Sequence, residues 1–177
     1  MFREDKATQM AARFLQLSKG QMPYLKLIKL LYMADKQMLL TRGKPIVYDA
    51  WVSMKKGPVL STTYDLIKQN DGSTYWSRHI RTKGYDALLE SDPGTDNLSR
   101  AEEHIIEAVF AQYGHVDKWD LVELTHDFPE WKNPGNSSCP ISYETVLRLA
   151  GIPADSIVDI LDNIDARNDF EAALGIL

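Results

Sequence analysis

Residues 29–39 read KLLYMADKQML, an apolar, helix-forming stretch with a single aspartate inside it. Because an α-helix turns by about 100° per residue, Lys29 and Lys36 fall on one stripe of such a helix. Asp35 falls on the far side, beside Tyr32 and several leucines. A carboxylate in that position is either a functional acid or a structural acid that holds another segment in place.

The composition is typical of one soluble globular domain, with 177 residues of which 44% are hydrophobic and 25% charged. No apolar run approaches the roughly 20 residues that span a bilayer. The N-terminal MFREDKATQM contains no apolar signal region. The single cysteine, Cys139, cannot form an internal disulfide. We therefore expect a cytoplasmic protein without a membrane partner.

The charge is divided unevenly along the chain. Residues 1–90 carry 15 Lys/Arg and 8 Asp/Glu, a net charge of +7, whereas residues 91–177 carry 5 and 17, a net charge of −12. An acidic C-terminal half argues against nucleic-acid binding and suits a basic protein partner. Solvated acidic helix faces explain the same pattern equally well.

Hydrophobic periodicity predicts a mainly α protein with a small β-sheet or hairpin inserted between the early helices, in a single compact domain. The predicted helices are 4–18, 23–42, 58–69, 99–113, 117–125, 142–151 and a last one after Pro153, and the predicted β segments are 46–54 and a hairpin at 75–90. Gly43 is expected to end the second helix, and Ser99 with Glu102 has capping-box spacing. Asp117 is expected to cap the helix that follows, and Ser142 to start the short helix after it. Pro58 is expected to open a helix, and the hairpin to pair with the 46–54 strand.

The sequence contains no recognisable catalytic, metal or cofactor motif. Its histidines lack metal-ligand spacing, and there is no CxxC, phosphate-binding loop or dinucleotide fingerprint. Cys139 is followed by Pro140 and has no nucleophile signature around it. The basic residues at 78–83 fit the edge of a hairpin better than a DNA contact. By elimination, a binding module is favoured over an enzyme.

Three segments together resemble the Panacea domain, also described as the SocA-like antitoxin domain. They are LIKLLYMADKQMLLTRGKPI at 27–46, AWVSMKKGPVLSTTYDLI at 50–67 and LTHDFPEW at 124–131. The resemblance covers about residues 5–131, so we expect this domain over 1–140. An acidic helical extension over 141–177 would then pack on the same domain. The chain departs from the family pattern at Met38, where histidine is frequent, and at Tyr48, where glycine is frequent.

The resemblance implies an antitoxin, from a bacterium or phage, that neutralises a co-encoded protein toxin by direct binding. One alternative is a proteolytic adaptor that delivers the toxin to an ATP-dependent protease. A transcriptional regulator of its own operon and a hydrolase built on Asp35 and His126 are further alternatives. We expect no enzymatic activity and no cofactor.

Seven residues form the structural motif that the resemblance marks: Tyr32, Asp35, Gly57, Pro58, Thr125, His126 and Trp131. An ionised carboxylate on an apolar helix face needs hydrogen-bond donors. The candidates for Asp35 are the backbone amides around Gly57, the Tyr64 hydroxyl and the Thr125–His126 pair. We expect Asp35, His126 and Trp131 to form a buried polar tie between the two halves of the chain.

Two groups of residues are candidate toxin contacts. Strand alternation places Trp51 and Lys55 on one face, with Lys56 next to them. In the last predicted helix, Asp155, Asp159, Asp162 and Asp169 fall on roughly one face, where they repel one another. A basic toxin surface that neutralises these carboxylates would explain their placement.

Overall fold

Helices pack around two small antiparallel sheets in the computed structural model, which describes residues 1–69 and 72–174. The helices are α1 (Glu4–Leu17), α2 (Tyr24–Arg42), α3 (Ser61–Lys68), α4 (Tyr75–His79), α5 (Arg100–Tyr113), α6 (Lys118–His126), α7 (Tyr143–Leu149) and α8 (Ala154–Ala173). The strands are β1 (Gln21–Pro23), β2 (Trp51–Met54), β3 (Gly57–Leu60), β4 (Ile80–Lys83), β5 (Asp86–Leu89) and β6 (Cys139–Ile141). The predicted fold class, mainly α with a small β insertion in one compact domain, is confirmed.

Helix α2 is the centre of the domain and is buried from Leu27 to Asp35 without a break. It packs against α1, α5, α6, α7 and β3, which explains why apolar residues occur on nearly all of its sides. The helix ends where Gly43 adopts a left-handed φ of 67° and donates its N–H to the Leu39 carbonyl over 2.9 Å. This C-terminal signal is the one expected from the sequence.

The two sheets are each three-stranded, with strand orders β1-β5-β4 and β3-β2-β6. The predicted hairpin is present as β4 and β5, but it pairs with β1 through Gln21–Pro23 and not with β2. That expectation is wrong because both edges of β2 are already occupied, one by β3 and the other by β6. Helix α4 takes up the first part of the segment that was predicted as a hairpin.

Pro58 does not begin a helix, contrary to the prediction. It lies in β3 opposite Ser53, and α3 begins at Ser61. Proline is tolerated there because β3 is an edge strand, where a missing N–H costs no ladder bond. The start of α3 is capped from outside, since the Asp49 carboxylate accepts the backbone N–H groups of Thr62 and Thr63 at 2.9 and 2.8 Å.

The predicted strand over 46–54 is shorter than expected. Residues 46–50 are irregular, and only Trp51–Met54 form β2. Ile46 and Val47 turn their N–H groups towards Asp35, so these groups are not available to a strand neighbour. Tyr48 has a φ of 55°, a left-handed conformation that explains why glycine suits this position in the resembling family.

Local capping signals gave the starts of three later helices correctly. Ser99 and Glu102 form the expected capping box at α5, the Asp117 carboxylate accepts the Trp119 N–H at α6, and Ser142 caps α7. Strand β6 was missed, because a loop rich in proline and glycine precedes it. The expected domain boundary at residue 140 falls inside β6 and stays a prediction.

Helix α8 packs on the rest of the domain through Ile157 and Ile164, which are buried. Ile160 lies against Gly43, at the C-terminal end of α2. Phe170, near the C-terminal end of the same helix, is 63% exposed. None of the helices among the described residues has both the length and the apolar character that a membrane span requires.

Candidate functional site

Asp35 is a structural acid that accepts hydrogen bonds from the segment following α2. One carboxylate oxygen accepts the backbone N–H groups of Ile46 and Val47 at 2.6 and 3.0 Å, and the other accepts the Trp51 indole N–H at 2.8 Å. Burial raises the pKa of Asp35 to about 6, although the three donors act in the opposite direction. The carboxylate therefore fixes residues 46–51 onto the central helix.

The predicted tie of Asp35 with His126 and Trp131 is wrong. None of the donors that bind Asp35 belongs to His126, Tyr64 or the region of Gly57. His126 and Trp131 instead form a pair of their own, with stacked rings whose centroids are 4.0 Å apart. The Trp131 indole N–H donates to the Met54 carbonyl over 2.9 Å, which anchors the end of β2.

Gly57 is the point where the three motifs of the sequence meet. Its φ is +93°, and a Cβ at this position would lie 2.4 Å from Thr125 Oγ1 and 2.8 Å from Lys29 Nζ. No side chain fits between α2 and α6 here, which explains the glycine. Pro58 contributes its carbonyl oxygen, which accepts a hydrogen bond from Lys29 Nζ at 2.8 Å.

Tyr32 belongs to a further buried polar group that the sequence did not reveal. Its hydroxyl donates to Glu130 Oε1 at 2.7 Å, and Lys36 Nζ donates to the same oxygen at 2.7 Å. Burial raises the pKa of Tyr32 well above its usual value, and the Glu130 carboxylate adds to this effect. Glu130 lies in a loop without periodicity, so no sequence signal indicated its burial.

Trp51 is not available as a toxin contact, contrary to the prediction. The side chain is 2% exposed and packs edge-on against Tyr32 and Tyr143, with ring centroids 5.1 and 4.8 Å away. Strand alternation does place Trp51 and Ser53 on one face, but that face is turned to the core. Lys55 lies beyond the end of the strand, in the exposed β2–β3 turn with Lys56.

A cleft of about 460 Å³ opens beside this turn. Its floor is the first part of α2, from Tyr24 to Lys29. One wall is the turn between β4 and β5, where Tyr85 stacks on Tyr24 with centroids 6.5 Å apart. The remaining walls are the β2–β3 turn, Tyr64 of α3, and the start of α6, which contributes Lys118 and Trp119.

The rim of the cleft is cationic and aromatic. Lys56 Nζ lies 5.0 Å from the centre of the Trp119 ring, and Lys118 Nζ lies 5.8 Å from it. Both distances are within the range of cation–π attraction. Trp119 is 52% exposed and Tyr85 is 76% exposed, so two large aromatic side chains face solvent beside the lysines.

Lys29 lies in the floor of the cleft and is fully buried. Within the part of the chain that the structure describes, the Pro58 carbonyl is its one hydrogen-bond acceptor. Burial lowers the pKa of the amine to about 7. The spacing of Lys29 and Lys36 predicted that they share one stripe of the helix, but it did not predict that Lys29 is buried. The one sequence signal for its burial is the apolar residues on either side of it.

The predicted acidic contacts occupy a separate surface. Asp155, Asp159, Asp162 and Asp169 are all exposed on α8. None of the residues that line the cleft comes from α8. The structure therefore does not bring the two predicted groups of toxin contacts together.

Within residues 1–69 and 72–174, no three or more His, Cys, Asp or Glu side chains are grouped so that they could hold a metal ion. Cys139 is exposed and unpaired to any other cysteine, since the chain has only one.

Residues 27–132 match the family described as antitoxin SocA-like, Panacea domain. This match covers more than half of the chain, and the protein belongs to this family. It includes the buried floor lysine, the β2–β3 turn and the start of α6. No curated protein and no solved structure matches the chain.

Proposed function

We propose that this protein is an antitoxin that neutralises a protein toxin by binding to it directly. The observation that carries the proposal is membership of the SocA-like antitoxin family over residues 27–132. The open cleft lies mainly within that range and exposes Tyr85 and Trp119, residue types that are enriched at protein interfaces.

The proposed action is binding without catalysis. Asp35 has both carboxylate oxygens engaged by the 46–51 segment, and His126 stacks on Trp131. The hydrolase alternative relied on a pairing of Asp35 with His126, and the hydrogen bonds of Asp35 give that pairing no support. We propose that the protein acts in the cytoplasm, where a co-encoded toxin would be synthesised.

The acidic face of α8 is a second proposed contact. Its four aspartates lie exposed on a helix that packs through Ile157 and Ile164, so they are free to meet a basic surface. Charge complementarity of this kind accelerates association and depends on salt. The cleft is favoured as the main contact, because it is concave and lined by aromatic rings.

Co-expression tests the proposed function. The reading frame beside this gene is induced alone and together with this protein, in an ordinary host and in hosts that lack each ATP-dependent protease. Growth arrest by the neighbour alone, rescue by this protein in every host, and recovery of a complex by affinity purification are the expected results. If rescue is lost in a host that lacks one protease, the protein is an adaptor for that protease. If the product of the neighbouring gene does not arrest growth, the toxin–antitoxin proposal is contradicted.

A further inference from the structure

We propose that the cleft binds an acidic peptide segment of the protein partner, with a carboxylate held by Lys55, Lys56 and Lys118 above the buried amine of Lys29. This inference rests on the proposed function, because it names the chemistry of the toxin segment that the antitoxin recognises. It assigns the main contact to the cleft.

The charge of the cleft is opposite to that of the whole protein. The chain has a net charge of −5, yet its cleft is lined by four lysines, and none of the described lining residues is acidic. Like charges gathered around one depression repel one another, so an anion in their midst is stabilising. A carboxylate meets this requirement.

The floor adds a second reason for an anionic ligand. Among the residues that the structure describes, the Lys29 amine has one acceptor, the Pro58 carbonyl at 2.8 Å, although an ammonium group has three donors. A buried ammonium without a carboxylate partner is costly, which is why burial lowers the pKa of this amine to about 7. A negative charge bound in the cleft would offset this cost and favour the charged form of Lys29.

The aromatic side chains favour a peptide over a small anion. A free phosphate would satisfy the lysines but would leave Tyr85 and Trp119 exposed. A peptide can place its carboxylate among the lysines and cover both rings with its neighbouring side chains. Exposed aromatic residues of this kind contribute strongly to protein interfaces.

Two of the lysines, Lys55 and Lys56, are presented by a turn that is anchored on both sides. Trp131 anchors one side of the β2–β3 turn through the Met54 carbonyl, and Gly57 on the other side is wedged between Thr125 and Lys29. A rim that is held in place before binding loses little conformational entropy when the ligand arrives. The position of Lys55 and Lys56 is therefore suited to recognition.

Selection from a random dodecapeptide library tests the inference without knowledge of the toxin. The full-length protein is compared with the triple variant Lys55→Gln, Lys56→Gln, Lys118→Gln. The control variant carries Lys19→Gln, Lys44→Gln and Lys132→Gln, which cause the same change in net charge at positions outside the cleft. The wild type and the control should enrich peptides rich in Asp and Glu with aromatic neighbours. The cleft variant should bind the selected peptides about tenfold more weakly or worse.

Single-site variants locate the peptide more closely. Lys29→Met and Trp119→Ala should each weaken the selected peptides several-fold, with circular dichroism and melting temperature showing that both variants are folded. No enrichment by the wild type, enrichment of neutral or basic peptides, or equal binding by the cleft variant would each overturn the inference. Binding of inorganic phosphate in competition with the peptides, unaffected by Trp119→Ala, would overturn it as well.

The same variants separate this inference from the proposed function. If the neighbouring toxin is captured equally well by the wild type and by the cleft variant, the inference fails and the antitoxin function stands. If the neighbour is not a toxin, the proposed function fails, and the peptide selection still decides whether the cleft prefers acidic segments.

Discussion

The buried amine of Lys29 donates a hydrogen bond to the carbonyl oxygen of Pro58 across 2.8 Å. This contact joins the central helix to β3 and places a titratable group in the floor of the cleft. Because burial lowers the pKa of Lys29 to about 7, the protein holds a lysine that changes charge near neutral pH. The stability of the domain should therefore depend on the protonation of this residue.

The first prediction concerns that dependence. The folded pKa of Lys29 lies below the ordinary lysine value of 10.5, so the unfolded chain binds the proton more tightly. The free energy of unfolding should then rise with pH between about 7 and about 10.5, by roughly 5 kcal/mol over the whole window. Below about pH 7 the proton is bound in both states, and the contribution is constant. Urea unfolding at a series of pH values measures the effect.

Lys29→Met removes the titrating amine. The free energy of unfolding of this variant, relative to that of the wild type, should therefore be highest near pH 7 and should fall as pH rises. Lys132→Met, at an exposed position, is the control and should follow the wild type. Parallel pH profiles for the wild type and Lys29→Met would show that the buried amine does not titrate as described.

The second prediction concerns Asp35. Replacing it with alanine leaves three buried N–H groups without an acceptor, those of Ile46, Val47 and Trp51. The expected loss is about 3–5 kcal/mol in the free energy of unfolding, measured by urea denaturation at neutral pH. Asp162→Ala, on the exposed face of α8, should cause no comparable change.

A structural role for Asp35 would be refuted by the opposite pattern. If Asp35→Asn and His126→Ala abolished a turnover activity while the melting temperature stayed unchanged, these residues would be catalytic. The predicted outcome is a lower melting temperature for Asp35→Ala and no activity to lose.

The third prediction concerns the close contact at Gly57. Alanine there would be strained at φ +93° and would also place a Cβ against Thr125 and Lys29. The expected cost is about 2–4 kcal/mol, the sum of backbone strain and overpacking. Gly20→Ala is the matched control, since Gly20 has a φ of +95° and a methyl group added there would meet nothing within 4 Å. Equal losses in the two variants would show that sterics at Gly57 are unimportant.

Local signals made much of this fold predictable from the sequence. Helix ends depend on the residues next to them, and Gly43, Ser99 and Asp117 marked theirs correctly. The partner of each strand depends on residues far along the chain. For this reason the hairpin was paired with the wrong strand, and β6 was missed.

The candidate site was harder to predict for the same reason. The acceptor role of Asp35 was expected, but its donors come from a segment that was assigned to a strand. The cleft is assembled from five separate parts of the chain, so nothing in the sequence indicated that Tyr85 and Trp119 lie together there. Trp51 was placed on the correct strand face, but periodicity did not say which face was buried.

The fourth prediction concerns the acidic face of α8. Replacing Asp155, Asp159, Asp162 and Asp169 with asparagine should slow toxin association about threefold to tenfold at low salt and flatten its salt dependence. The domain should remain folded, because these side chains are exposed. Association rates at low and high salt, measured by surface plasmon resonance, test the prediction.

The control for this experiment removes the same number of charges elsewhere. Suitable exposed positions are Asp65, Asp86, Asp96 and Asp127. If both variants associate as fast as the wild type, or if their salt slopes are equal, the acidic face of α8 is only solvated.

Hydrogen–deuterium exchange of the purified complex with the proposed toxin tests the central claim most directly. Binding through the cleft should slow amide exchange in the β2–β3 turn at residues 54–57, around Tyr85 and at the start of α6. Protection in these segments, lost together with affinity in the Lys55→Gln, Lys56→Gln, Lys118→Gln variant, is the result that the account predicts. A stable complex that leaves exchange in all three segments unchanged would contradict it.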